Sequence, residues 1–107
     1  MKPLVPRIAV ERDVDAIADH YVLEAGEDVA RAFAEALETA YRAISERPRT
    51  GSPRFSHEYD LEGLRSRRLG RFPYYVFYVE RPDHIDIWRV LHAQRDIAAW
   101  LRGGNPD

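Results

Sequence analysis

The apolar residues at the start of the chain predict a short strand and then a helix. Residues 4–9 are mostly apolar, and the prolines at positions 3 and 6 confine a strand there to a sheet edge or a strand start. From about Val10 the apolar residues recur with the spacing of one helix face, as Val14, Ile17, Ala18 and Tyr21. Gly26 can end this helix, because glycine readily adopts the left-handed conformation found beyond a helix C terminus.

A second helix is predicted over residues 27–46. Glu27 and Asp28 favour its start, because negative charge stabilises the amino end of a helix. Its apolar face consists of Phe33, Leu37, Ala40 and Ile44. The sequence RPRTGSP, residues 47–53, ends it. Residues 10–46 are therefore expected to form an antiparallel helical hairpin.

The second half of the chain has the spacing of strands. Three strands are predicted, over residues 61–69, 72–80 and 85–92, with a proline-containing turn between the last two. The middle one is apolar on both faces, which is typical of a central strand. A short C-terminal helix should then contain Ile97, Trp100 and Leu101, and end at Gly103 and Gly104.

The element order is therefore β-α-α-β-β-β-α. It predicts an α+β fold in which the helical hairpin packs on one face of a small, mostly antiparallel sheet. A chain of 107 residues is long enough for one such core and too short for two, so residues 1–107 are expected to form a single domain.

The composition narrows the class of protein. The apolar fraction of 45% is ordinary for a globular domain, and there is no cysteine to form a disulfide, a thiolate nucleophile or a metal ligand. The four histidines lack the spacing of metal ligands, so neither a metal nor a cofactor is expected. No apolar run is long enough for a membrane span and no signal peptide is evident, which predicts a soluble, cytoplasmic protein without a membrane partner.

Charge is distributed unevenly along the chain. Residues 1–46 hold five Lys and Arg against ten Asp and Glu, whereas residues 47–107 hold eleven against eight. The net charge of −2 argues against direct, sequence-specific DNA binding by this chain alone. All basic residues except Lys2 are arginines, whose planar fork suits carboxylate and phosphate, so the sequence favours recognition over lysine-based catalysis.

Several arginines fall where they could contact a target. Side chains alternate across a strand, so placing Trp88 and Val90 against the helices leaves Arg89 on the uncovered face of the sheet. Two or three arginines are expected to converge there, and the candidates for target binding are Arg65, Arg67, Arg71, Arg89 and Arg95. The alternative is that they are solvated arginines of a half-exposed sheet with local acidic partners.

His92 is the candidate for acid–base chemistry. Its ordinary pKa of about 6.5 allows proton transfer near neutral pH. It lies at a strand end, before a helix start, where anions can be attracted. The alternative is that it caps or packs at this junction. If the protein is a nuclease, His92 and Arg89 are its catalytic candidates.

Several segments in order resemble the ParE branch of the ParE/RelE toxin superfamily, the toxins of type II toxin–antitoxin pairs. They are RPRTGSP at 47–53, LRSRRLGRFPYYVFYV at 64–79 and IWRVLHAQRD at 87–96, after the helical hairpin sequence. The resemblance extends over residues 7–101 and implies the same fold. It also implies an acidic, ParD-like antitoxin as partner, to which the hairpin would offer a groove and the sheet an edge.

The resemblance leaves the activity open between three classes. ParE-like toxins poison DNA gyrase by binding, whereas RelE-like toxins cut mRNA on the ribosome. The lysine-rich catalytic set of the nucleases is absent here, so the resemblance favours a gyrase inhibitor that is not an enzyme. A ribosome-dependent endoribonuclease using His92 is the alternative, and the third possibility is a nontoxic interaction module.

Overall fold

The computed structural model describes residues 1–103 and contains four α-helices and four β-strands in that part of the chain. A 3-10 turn, Pro48–Thr50, follows the second helix. The elements in chain order are β1 (Leu4–Pro6), α1 (Ile8–Ala25), α2 (Glu27–Glu46), α3 (Arg54–Tyr59), β2 (Leu64–Arg68), β3 (Tyr74–Glu80), β4 (Ile85–His92) and α4 (Ile97–Arg102).

The four strands form one mixed sheet in the order β1-β4-β3-β2. β3 pairs antiparallel with both β2 and β4, and β1 pairs parallel with β4, which confirms the mostly antiparallel sheet. β1 is shorter than the predicted strand over residues 4–9. Pairing ends where the Arg7 N–H donates to the Ile87 carbonyl oxygen at 3.0 Å, and the next residue begins α1.

The helical hairpin is confirmed, and it covers one face of the sheet. α1 and α2 meet at Gly26, whose φ of 96° requires the conformational freedom of glycine. The predicted apolar face of α2 is buried, and it packs with residues of β3 and β4 that include Tyr78 and Val90.

The other face of the sheet is also covered, which corrects the expectation of an open face. A second apolar cluster contains Phe55 of α3, Phe77 of β3, and Ile97 and Leu101 of α4. The six-residue helix α3 lies between RPRTGSP and the predicted strand over residues 61–69, where no element was predicted, because six residues are too few for helical spacing to show. Because β3 is apolar on both faces, it requires an apolar layer on each side.

A β-bulge at Trp88 changes which side chains of β4 face the helical hairpin. Phe77 pairs with Arg89 and Tyr78 with Ile87, so Trp88 is an extra residue in β4. Trp88 therefore packs in the second cluster while Val90 packs under the hairpin. The prediction that Trp88 and Val90 share a face was wrong, because a bulge shifts the alternation by one residue.

Neither outer strand offers a long free edge to a partner strand. In β1, Pro6 has no N–H to donate. Beside β2, Ser66 exchanges two backbone hydrogen bonds with Ser52, at 2.9 and 3.0 Å, and the Leu64 N–H donates to the Leu61 carbonyl oxygen at 3.1 Å. A partner of this sheet would therefore bind mainly through side chains.

The C-terminal helix forms as predicted, and Gly104 lies outside the described residues. No helix within residues 1–103 combines the length and the apolar character that a bilayer crossing requires.

Candidate functional site

Arg89 is held by a carboxylate of the first helix. Its Nε and Nη2 donate to the two carboxylate oxygens of Asp13, each at 2.7 Å. One of these oxygens also accepts the Val90 N–H at 3.0 Å. β1 pairs with β4 only as far as Ile87, so Asp13 occupies the edge of β4 where no strand lies beside it. The carboxylate thus stabilises both a partly buried guanidinium and a strand edge.

Arg65 and Arg67 lie on the opposite edge of the sheet, beside the 3-10 turn. The Nη1 of Arg65 donates to the Gly51 carbonyl oxygen at 2.8 Å, and the Nη1 of Arg67 donates to Thr50 Oγ1 at 3.2 Å. Arg65 pairs with Tyr78 and Arg67 with Val76, two β3 residues that pack under the helical hairpin, so the two arginines share one face of β2. They reach the turn that carries Arg47 and Arg49.

The predicted convergence of these arginines near Arg89 does not occur. β3 lies between β2 and β4, and the residue opposite Arg89 is Phe77 of the second cluster. Arg65 and Arg67 on β2 therefore belong to one surface, and Arg89 on β4 belongs to another, on the other side of β3.

The other two candidate arginines are exposed and lie apart. Arg71 borders a groove of about 640 Å³ along α2, whose apolar part includes Val29, Ala32, Ala36 and Phe72. Arg95 borders a cavity of about 450 Å³ between α1, β4 and α4, together with Asp13, His20, Arg89 and Trp100.

His92 supports the turn between β4 and α4. Its Nδ1 accepts the backbone N–H groups of Gln94 and Arg95, at 3.1 and 3.3 Å, which places the ring proton on Nε2. Its ring packs edge-on against Tyr74, with centroids 5.3 Å apart. Burial lowers the pKa of His92 below its ordinary value and the charge of Arg95 lowers it further, against the opposing effect of Asp96. The geometry is that of a capping and packing histidine.

Two acidic residues that sequence reasoning did not single out organise the arginines of this sheet. One is Asp13. The other is Asp86, which accepts hydrogen bonds from Arg7 and Arg81. Burial raises the pKa of Asp86, but hydrogen bonds from Arg7, the Trp88 indole and Arg81 outweigh burial and lower the pKa to about 2. Asp13 lies one helical turn before Ile17, on the side of α1 that faces the sheet. This position was the feature of the sequence from which a buried acid could have been predicted.

Metal-ligating side chains do not gather in groups of three anywhere in residues 1–103. An indole N–H is a polar group that needs a partner when it is buried, and within residues 1–103 Nε1 of Trp100 is buried in the second cluster without one. Each indole ring lies beside an arginine. The guanidinium of Arg7, between β1 and α1, is 4.7 Å from the Trp88 ring centroid, and that of Arg89 in β4 is 6.0 Å from the Trp100 ring centroid.

A helical hairpin packed on a four-stranded mixed sheet, with an arginine-bearing outer strand, defines a small α+β protein of the ParE/RelE toxin type. Residues 7–97 match the sequence model of the ParE toxin of the type II toxin–antitoxin system, parDE, and the chain therefore belongs to this family. The fold expected from the resemblance is confirmed.

A solved structure of similar fold is described as the chromosomal ParDE toxin–antitoxin system from P. aeruginosa. Its matching chain has 24% sequence identity to this one, with a TM-score of 0.73 over 88% of this chain and 98% of that chain. No curated protein sequence matches.

Proposed function

We propose that this ParE-family toxin inhibits DNA gyrase by binding it, and that a cognate ParD-like antitoxin neutralises it. Membership of the ParE toxin family supports a toxin with an antitoxin partner. His92 and Arg89 both make hydrogen bonds within the fold. This observation is the main support for binding rather than catalysis.

Cleaving RNA at its 2′-hydroxyl requires a base, an acid and cations near the phosphate. Here Nδ1 of His92 accepts two backbone N–H groups, and Arg89 is bidentate to Asp13. The two residues that would serve a nuclease thus already support a turn and a strand edge. A toxin that acts by occupying a surface of its target needs neither of them for proton transfer.

The His92→Gln variant should inhibit gyrase as strongly as the wild type. Glutamine retains an oxygen that can accept the backbone N–H groups of the turn, and binding needs no titrating group. The measurement is the supercoiling of relaxed plasmid by purified gyrase, with His20→Gln, an exposed histidine of α1, as the matched control. The proposal would be contradicted by two results together: the wild type does not inhibit gyrase, and it cleaves mRNA on translating ribosomes with an activity that falls about 10²–10⁴-fold in His92→Gln.

The antitoxin should dock along the α2 groove. Small residues at positions 32 and 36 let a partner helix approach an apolar floor that includes Val29 and Phe72. Expression of the toxin should inhibit growth, and co-expression of the protein encoded by the adjacent small reading frame should restore it.

The Ala32→Arg variant should fill this groove and weaken rescue by the antitoxin, while leaving toxicity intact. Ala34→Arg, at an exposed position of the same helix, is the control and should be rescued fully. Equal rescue of both variants would show that the antitoxin binds elsewhere.

A further inference from the structure

Four arginines surround one turn on the outer side of β2. Arg47 and Arg49 flank the start of the 3-10 turn, and both are exposed. Arg65 and Arg67 project from β2 onto the end of the same turn, where they donate to Gly51 and Thr50. We call these four residues the arginine patch.

Two residues of the arginine patch, Arg65 and Arg67, have neutral hydrogen-bond acceptors, as does Arg68, which donates to the Gly70 carbonyl oxygen. Within residues 1–103, seven basic side chains pair with carboxylates, Arg49 of the patch among them, namely Lys2, Arg7, Arg31, Arg49, Arg54, Arg81 and Arg89. Arg65 and Arg67 instead donate to a carbonyl and a hydroxyl oxygen, which leave the positive charge uncompensated. Each guanidinium has five N–H donors, so one such bond fixes its orientation and leaves donors for a ligand.

We infer that the arginine patch binds an acidic segment of the target protein. This inference rests on the proposed function and makes it more specific. It assigns the contact of the arginine patch to carboxylates of gyrase rather than to the DNA that gyrase holds. An arginine fork matches a carboxylate in geometry, and Arg65 and Arg67 lie two residues apart on one strand face, about 6–7 Å along the strand.

A short acidic segment fits the charge distribution better than a nucleic acid does. Proteins held on nucleic acid by charge neutralise many phosphates, commonly about 6–10. The arginine patch has only four guanidiniums, and that of Arg49 already lies 3.6 Å from Glu80. Residues 1–46 carry a net charge of −5, which repels a long polyanion and affects a local acidic segment less.

Recognition at the arginine patch must occur through side chains. The backbone of β2 beside the patch is already bonded to Ser52 and Leu61, so a partner strand cannot extend the sheet there without breaking these bonds. Binding by charged side chains at a surface weakens with salt, whereas strand addition would depend on salt only slightly.

The experiment is the binding of the toxin to immobilised gyrase in the absence of DNA. We expect binding that weakens between about 50 and 200 mM NaCl, a range over which charged contacts respond, and we expect soluble polyglutamate to displace the toxin. The Arg65→Ala/Arg67→Ala double variant should bind at least about tenfold more weakly, as expected for two lost charge-assisted contacts. The control Arg12→Ala/Arg42→Ala removes two exposed helical arginines and should change affinity less than about twofold.

A second variant protects the test against unfolding. Arg65→Gln/Arg67→Gln keeps an N–H donor for Gly51 and Thr50 and removes the charge, so it should remain folded and lose the same affinity. Binding that requires DNA, or a short duplex that binds the toxin alone with the same dependence on Arg65 and Arg67, would overturn the inference. A wild-type toxin that fails to inhibit gyrase at all would instead refute the proposed function itself.

Discussion

The Trp88→Ala variant should lose about 3–5 kcal/mol of the free energy of unfolding, the cost of truncating a buried aromatic side chain. Trp88 is 8% exposed and packs in the second cluster. Its ring meets Trp100 edge-on at 6.2 Å, and the Arg7 guanidinium lies 4.7 Å from its centroid. The substitution therefore removes the contact between α4, the end of β1 and the bulge of β4.

Urea unfolding followed by circular dichroism measures this loss. Leu23→Ala is the control, because Leu23 is 84% exposed and its truncation should change stability by less than about 0.5 kcal/mol. For a domain of this size each kcal/mol shifts Tm by roughly 4–8 °C, so the variant should melt more than about 10 °C lower. A loss below about 1 kcal/mol would mean that the second cluster is not closed by Trp88.

The Asp13→Ala variant should lose about 2–3 kcal/mol. Breaking a fully buried ion pair costs about 3–5 kcal/mol, and this pair is partly accessible, with side-chain exposures of 12% for Asp13 and 27% for Arg89. The variant also leaves the Val90 N–H without its carboxylate acceptor. Asp15→Ala, on the exposed side of the same helix, should change stability by less than about 0.5 kcal/mol.

A double-mutant cycle separates the ion pair from the edge contact. Asp13→Ala combined with Arg89→Ala should cost less than the sum of the two single variants, because each single change leaves a charge without its partner. Additive losses would show that Asp13 acts only on the strand edge. The structure also changes the expectation for Arg89: its replacement by alanine should reduce stability, unlike the replacement of an ordinary surface arginine.

The elements with strong local patterns were predictable from the sequence. The apolar face of α2 recurs over about three turns, and the spacing alone placed Phe33 and Ile44 in the core. β4 was predicted with the bounds that it has, Ile85–His92, because turn residues precede it and most of its residues are apolar. In both cases the information is contained within a few neighbouring residues.

What could not be predicted depends on contacts between distant residues. The bulge at Trp88 arises from the register between β3 and β4, and no residue type in β4 signals it. The pairing of Arg89 with Asp13 joins residues 76 positions apart, and it decides whether the arginine faces a target or the fold. The capping of the 93–96 turn by His92 was one of two readings of its position, and only the geometry of Nδ1 separates them.

The pairing of the first strand with the last has a consequence for the order in which the protein is made. Leu4 lies opposite Ile85, so β1 has no partner until more than three quarters of the chain has been synthesised. At about 5–20 residues per second, the helical hairpin is exposed for several seconds before β4 arrives to cover it. A nascent toxin therefore passes through a stage with its hairpin formed and its sheet incomplete. Removing either β1 or β4 eliminates the same parallel pair, so the finished sheet requires both strands.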